Sequence, residues 1–336
     1  MKPNDIAEAL EGLIEARQPT IVWGPPGVGK SSVIQETGRN LGREIVDIRA
    51  VLLDPVDLRG IPHITKSGEA KWAPPSFLPK DKDSTAIIFL DELAQAAPLV
   101  QSACLQLTLD RRIGEYELPQ GCSIVAASNR QSDRAGAHRL ISPLLNRFVH
   151  LSLEVSIDDW RAWAIANGIN GMVLAYLAFK PDQLFAFNPK SKDESFPTPR
   201  SWEFVSNALQ HTPKRLMFGI VSGCVGEGAA AEFVSFCEMY GKLPKPEDVL
   251  ANPMQHTVPT EPSVLYARAG SLATYLKEHT DKMNEYAQFV SRMPQEFGVL
   301  GMRDGVGAVG VQLVRTPAGA EWAKKNASVL TGSTND

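Results

Sequence analysis

The sequence predicts an α/β fold, a parallel sheet between helices, followed by helical segments, on three observations. Short unbroken apolar runs alternate with helix-like stretches up to residue 154, the pattern of strands buried on both faces. Glycine-rich and acidic motifs fall at the carboxyl ends of those runs, where open parallel sheets bind ligands. From residue 156 onward the strand signal gives way to helical periodicity.

The elements follow in order. Asn4 or Asp5 can cap a first helix whose Ile6, Leu10, Leu13 and Ile14 share one face. Thr20–Trp23 reads as a short buried strand, and the glycine-rich loop after it leads into a helix over 30–40. Further strands are expected at 44–51, 84–92, 122–129 and 147–154, with a helix over Ala97–Leu109. Two hairpins are expected, one over 60–75 turning at Lys66–Ser67–Gly68–Glu69 and one over 111–121. Beyond 154, the stretches 158–168, 171–179 and 199–210 have helical spacing, and 216–236 reads as one buried helix. Glu227 and Glu232 interrupt that stretch short of the roughly 20 apolar residues a membrane span requires. Residues 243–262 carry five prolines and read as a linker or strap. Two amphipathic stretches follow, one marked by Leu265, Leu272 and Leu276, the other by Tyr286, Phe289 and Met293. The glycines of 298–313 are expected to serve turns, because no βαβ context for dinucleotide binding surrounds them. The tail after 327 reads as disordered. The expected division is a core over 1–154, a helical domain over 155–242, a linker over 243–262 and a helical extension over 263–336.

Composition sets bounds. At 336 residues the chain can hold two or three domains, and 43% hydrophobic with 21% charged residues is ordinary for a soluble protein. A net charge of −4 argues against a chain-wide nucleic-acid footprint and leaves room only for a local basic channel. Cys104, Cys122, Cys224 and Cys237 form no C-x-x-C pair and read as reduced core residues. With no basic-then-apolar leader at the start, the expected location is the cytoplasm, away from membranes. The six histidines lack metal-ligand spacing, and no G-x-S-x-G or Cys/His arrangement appears.

The chemistry lies in two motifs. Residues 24–32 (Gly24, Pro25, Pro26, Gly27, Val28, Gly29, Lys30, Ser31 and Ser32) contain the phosphate-loop pattern G-x-x-x-x-G-K-[ST]. In such a loop the glycines turn backbone N–H groups onto phosphate oxygens, the Lys reaches the outer phosphates and the Ser hydroxyl binds Mg²⁺. Asp91 ends the third strand, where an acid can hold Mg²⁺ beside Ser31. Glu92 follows it, placed to polarise an attacking water as general base. A strand-ending acid pair is common alone, but this order and spacing behind a phosphate loop indicate ATP with Mg²⁺.

Together with Asn129 ending the fourth strand, Arg147 before the fifth and Arg200 in the helical region, these motifs resemble the AAA+ ATPases. More narrowly, the segments 54–60, 98–113 and 197–203 are similar to the MoxR branch, and the resemblance covers about 5–240. It implies an AAA+ core followed by an all-α lid. It further implies a ring, hexameric in the first instance, that hydrolyses ATP at subunit interfaces to remodel or activate a protein client. That client can carry a von Willebrand factor A-like domain with a metal-dependent adhesion site. By the same resemblance Asn129 positions the lytic water or γ-phosphate, against the plain alternative of a turn-forming Asn. Arg147 becomes an arginine finger acting on the neighbouring subunit, against the alternative of capping a helix C-terminus. Arg139 is the second candidate finger. Thr198 and Pro199 start a helix with Arg200 in its first turn. A cation there opposes the helix dipole by about 0.3–1 kcal/mol, which a phosphate or a neighbouring carboxylate would offset. The resemblance favours a phosphate sensor on the lid. In a ring the two hairpins would face the central pore, with Lys66, Trp72 and Arg112 as client contacts, against a hairpin packed on the sheet with Trp72 as anchor. Two rival readings share the core, a DNA-directed motor or loader and a nucleotide-bound scaffold with little turnover.

Overall fold

A computed structural model describes residues 1–133, 136 and 140–327. The chain forms two compact units, Met1–Ser156 with Phe187–Ser191, and Ile157–Ala186 with the residues from Lys192 onward. The first unit runs α1 (Pro3–Glu15), β1 (Thr20–Trp23), α2 (Lys30–Asn40), β2 (Ile45–Arg49), α3 (Pro55–Arg59), β3 (Ile61–Ile64) and β4 (Ala70–Ala73). It continues with β5 (Ile87–Asp91), α4 (Pro98–Asp110), β6 (Arg112–Ile113), β7 (Tyr116–Glu117), β8 (Ser123–Ser128), α5 (Ser142–Leu145) and β9 (Val149–Ser152).

Five of these strands make one parallel sheet in the order β2-β5-β8-β1-β9. The central strands β5 and β8 are buried at every position, which is why they read as unbroken apolar runs. Alternate strand residues serve the two faces. Ile21, Ile48, Ile88, Leu90, Ile124 and Ala126 share a core with Val100, Cys104 and Leu107 of α4 and Leu144 of α5. On the other face α1 and α2 pack together and against β8. There Gly38 of α2 sits so close that a Cβ would meet Ile45 Cδ1 at 2.5 Å. The cap of α1 differs from expectation: the helix begins at Pro3, and Asp5 accepts from Lys2 N at 3.2 Å instead of capping it. Proline at the first helical position starts the turn earlier than the Asn/Asp signal suggests.

The second unit is helical: α6 (Ile157–Ala166), α7 (Gly171–Phe179), α8 (Pro199–His211), α9 (Met217–Val225) and α10 (Glu227–Tyr240). It continues with α11 (Pro246–Ala251), α12 (Pro262–Glu278), α13 (Met283–Val290), α14 (Gln295–Val309) and α15 (Pro317–Lys325). Tyr176 and Trp202 pack with Phe233 at ring distances of 5.3 and 5.4 Å. α12 lies against α7 and α14. Its approach to α7 is close, because a Cβ on Gly270 would stand 2.9 Å from the Ala175 Cβ. Arg161 of α6 binds Asp304 of α14 through Nε and Nη2, both residues being buried.

Three sequence expectations are corrected here. The stretch 216–236 is two helices broken at Gly226, whose φ of 85° ends α9. α9 buries only Val221 and Val225 and leaves Phe218 and Ile220 exposed. The proline-bearing 243–262 contains α11, which starts on Pro246 at its first position and buries Val249 and Leu250. The glycines of 298–313 lie mostly inside α14. They serve close packing: a Cβ on Gly301 would stand 2.9 Å from Val290 Cγ1, and one on Gly305 2.5 Å from Leu313 Cδ2 and 2.7 Å from Tyr286 Cε1. Gly305→Val is therefore expected to cost about 1–3 kcal/mol through overpacking. Thermal unfolding would show this as a lowered Tm, and an unchanged Tm would contradict the packing role.

Candidate functional site

The loop between β1 and α2 is shaped by its glycines. Gly27 and Gly29 have φ of 77° and 97°, a region that side-chain-bearing residues rarely adopt. Gly24 is held by proximity instead, since a Cβ there would meet Val28 Cγ2 at 3.2 Å and Leu153 O at 3.3 Å. Its N–H donates to Ser128 O at 3.2 Å, tying the loop to β8. The first N–H groups of α2 have no partner within the helix and form an anion-binding end. Its first turn has no acid to compete for that end. Pro25, Pro26, Val28 and Ser32 fill the remaining positions of the loop and first turn.

Lys30 curls back over the loop. Its ammonium donates to Gly24 O at 2.7 Å, Pro25 O at 2.9 Å and Asn129 Oδ1 at 2.7 Å. Asn129 follows β8, the neighbour of β5, so sheet order brings its amide to the lysine. Ser31 Oγ donates to Asp91 Oδ2 at 3.0 Å, while Glu92 N–H donates to Asp91 Oδ1 at 3.0 Å. Adjacent residues thus carry two hydrogen-bonded pairs, Lys30 with Asn129 and Ser31 with Asp91, which together make up the cluster. Glu92 is one of the non-glycine residues at positive φ, 58°, a conformation costing about 1–3 kcal/mol. Ser128 Oγ braces the turn after it, accepting from Ala94 N at 2.7 Å and donating to Gln95 Oε1 at 3.2 Å. Among the described residues none donates to the Glu92 carboxylate.

The donors at the cluster's acidic end are a hydroxyl and a carboxylate, both hard oxygens suited to Mg²⁺. Mg²⁺ usually takes one or two protein oxygens and completes its shell with phosphate and water. Among the described residues there is no group of three or more His, Cys, Asp or Glu that could hold a metal ion. Burial pushes the Cys104 and Cys237 thiols up to about 12, so neither offers a thiolate nucleophile near neutral pH.

Arg147 follows α5, half-buried, with its backbone N–H on Leu144 O at 3.1 Å. Its Nε is buried and lacks a hydrogen-bond partner among the described residues. Trp23 Nε1 donates to His150 Nδ1 at 2.8 Å, and His150 Nε2 then donates to Leu145 O at 2.9 Å. This links the strand before the phosphate loop to the helix before Arg147. Arg200 is exposed in the first turn of α8, capped by Thr198, whose Oγ1 accepts from Ser201 N at 3.0 Å. It belongs to the second unit. Arg139 lies outside the described residues. The hairpin β3–β4 is exposed at all eight positions, and Trp72 N donates to Glu115 Oε2 at 3.3 Å beside the β6–β7 turn. Trp72 is 39% exposed, so it does not anchor the hairpin in a core.

Sequence reasoning missed three members of the site: Arg49, Ser128 and Gln95. Arg49 ends β2 directly opposite Asp91 of β5 in the parallel register, and its Nη1 lies 3.1 Å from Asp91 Oδ2. Its position at a strand's carboxyl end beside an acid-bearing strand was the available signal. Ser128, just before Asn129, carried the same one.

Residues 19–148 match the family model of the AAA domain, dynein-related subfamily. The matched residues lie within the first unit and include its phosphate loop. Midasin of Giardia intestinalis is 29% identical over 192 residues, covering 54% of this chain and 4% of Midasin, so the chain spans a small fraction of that relative. A RuvB variant of Thermotoga maritima matches at 17% identity over 80% of each chain, with a TM-score of 0.43. NtrX of Brucella abortus in complex with ATP matches at 14% identity over 97% of this chain and 67% of its own, with a TM-score of 0.40. No helix among the described residues is long and apolar enough to cross a membrane.

Proposed function

We propose that this protein is a MoxR-like AAA+ ATP hydrolase, working as a ring in which each site is completed by a neighbour to remodel or activate a protein client. The observation that carries the hydrolase reading is the cluster itself: Lys30 on Asn129, Ser31 on Asp91, and a strained Glu92 beside them. Ser31 and Asp91 would hold Mg²⁺, which when bound neutralises phosphate charge and orients the γ-phosphate for in-line attack. Lys30 exchanges the loop carbonyls for β- and γ-phosphate oxygens, and its present partners show that its ammonium already lies within the loop. The backbone N–H groups of Gly27–Ser31 receive the remaining phosphate oxygens. Glu92, free of hydrogen-bond donors among the described residues, takes a proton from the attacking water. Asn129 sits where its amide can orient that water once Lys30 has turned to phosphate.

Ring assembly draws support from Arg147, whose buried Nε finds no partner among the described residues, and from the wholly exposed β3–β4 hairpin. A lone two-stranded hairpin is marginally stable in water, so this one gains by a partner. Lys66, Trp72 and Arg112 are then the client contacts, and Arg200 the sensor that couples nucleotide to the helical unit. Hexameric stoichiometry, cytoplasmic location and a client with a von Willebrand factor A-like domain belong to the same reading.

Lys30→Ala is expected to weaken ATP binding by about 10–100-fold, the loss of a charge-assisted contact worth roughly 1.5–3 kcal/mol. Equilibrium titration with a fluorescent ATP analogue measures this. Undiminished affinity would remove the phosphate loop from the account.

A further inference from the structure

The Asp91 carboxylate already has a cationic partner that the nucleotide mechanism does not use. Arg49 Nη1 lies 3.1 Å from Asp91 Oδ2, the same oxygen that accepts the Ser31 hydroxyl at 3.0 Å. The other oxygen is occupied by Glu92 N–H. The Asp91 side chain is 5% exposed and that of Arg49 47%, so a half-solvated guanidinium covers a buried carboxylate. Arg49 also has a second acid within reach: its Nε stands 3.4 Å from Asp47 Oδ1. Asp47 is tied to the phosphate-loop helix by Gln35 Nε2 at 3.4 Å, one turn beyond Ser31. Two carboxylates therefore share one guanidinium at the edge of the phosphate site.

We propose that Arg49 is a positioning residue that balances the Asp91 charge when no cation is present and yields it to Mg²⁺ by shifting onto Asp47, so that it sets the Mg²⁺ dependence of nucleotide binding. This rests on the reading that Ser31 and Asp91 hold Mg²⁺. A divalent cation at Ser31 and Asp91 meets a like charge on the same oxygen, and the two cannot share it without repulsion. Asp47 gives the displaced guanidinium a place to go, which keeps the competition reversible. Arg49 thus guards the site against empty cation binding and makes Mg²⁺ arrive with ATP, whose phosphates add the charge that outweighs the guanidinium.

The test uses the full chain and a methylanthraniloyl ATP analogue, titrated in Mg²⁺ and in EDTA. The readout is the ratio of the two affinities. Arg49→Met keeps the apolar stem and removes the competitor, so the ratio rises by about 5-fold or more. Asp47→Asn removes the second partner, holds Arg49 on Asp91 and lowers the ratio. Arg49→Lys restores the charge and returns the ratio toward wild type. A loss of packing would move both Arg49→Met and Asp47→Asn the same way, so opposite signs mark the competition. A ratio within about 2-fold of wild type in Arg49→Met, below the usual size of such a coupling, or shifts of one sign in both variants, overturns the proposal. Asp91→Asn separates the two levels. If it keeps the wild-type ratio, the metal reading falls and this inference with it. If it loses the Mg²⁺ dependence while Arg49→Met leaves the ratio unmoved, only this inference falls.

Discussion

Arg147→Ala is expected to lower ATP turnover by about 10³–10⁵, the range for removing an arginine that neutralises charge in a phosphoryl-transfer transition state. ATP binding to the substituted subunit should stay near wild type, because its own loop, Lys30 and Asn129 are intact. The geometry separates this from the plainer role. As a C-terminal cap of α5, Arg147 would contribute about 0.3–1 kcal/mol to stability, and its loss would lower Tm and leave turnover alone. With Nε unsatisfied among the described residues, truncation removes no side-chain hydrogen bond from that nitrogen there. Phosphate release at saturating ATP, measured beside thermal unfolding, distinguishes the two. Normal turnover with a lowered Tm would retire the finger.

The second large effect belongs to Glu92. Glu92→Gln should cost about 10²–10⁴ in turnover, the usual contribution of a positioned general base, and leave nucleotide affinity nearly unchanged. Gln preserves size and the backbone hydrogen bond from residue 92 to Asp91 Oδ1, so the turn braced by Ser128 should survive. The positive φ at this position implies that the fold retains a strained residue where a relaxed one would aim the carboxylate elsewhere. Turnover equal to wild type in this variant would assign the base to another group.

The sheet was legible chiefly because its central strands β5 and β8 are buried at every position and so read as apolar runs; strand ends shifted, as at 84–92, where pairing covers Ile87–Asp91. The phosphate loop was legible because its φ angles demand glycine at fixed spacing. Arg49 was not, since an arginine at a strand end reads as a solvated charge until register sets it opposite Asp91. The helical unit hid more. Glycines in α14 look like turn residues in sequence, whereas their function is to admit Val290, Tyr286 and Leu313. Gly226 broke a stretch whose hydrophobicity suggested one helix. In α14 long-range packing overrode the local glycine signal, whereas at Gly226 that signal prevailed over the hydrophobic pattern. The prolines of 243–262 spoke for extension, yet Pro246 sits at the one helical position where proline is favoured.

Whether a neighbouring subunit completes each site is decided by mixing Glu92→Gln with Arg147→Ala chains. Each alone should be nearly inactive, the first lacking its base and the second its finger. In mixed assemblies a Glu92→Gln subunit can present its intact Arg147 to an Arg147→Ala subunit whose Lys30, Asp91 and Glu92 are whole. Phosphate release well above the sum of the two separate preparations is expected. Release equal to that sum at every mixing ratio, with subunit exchange verified, would contradict completion by a neighbour.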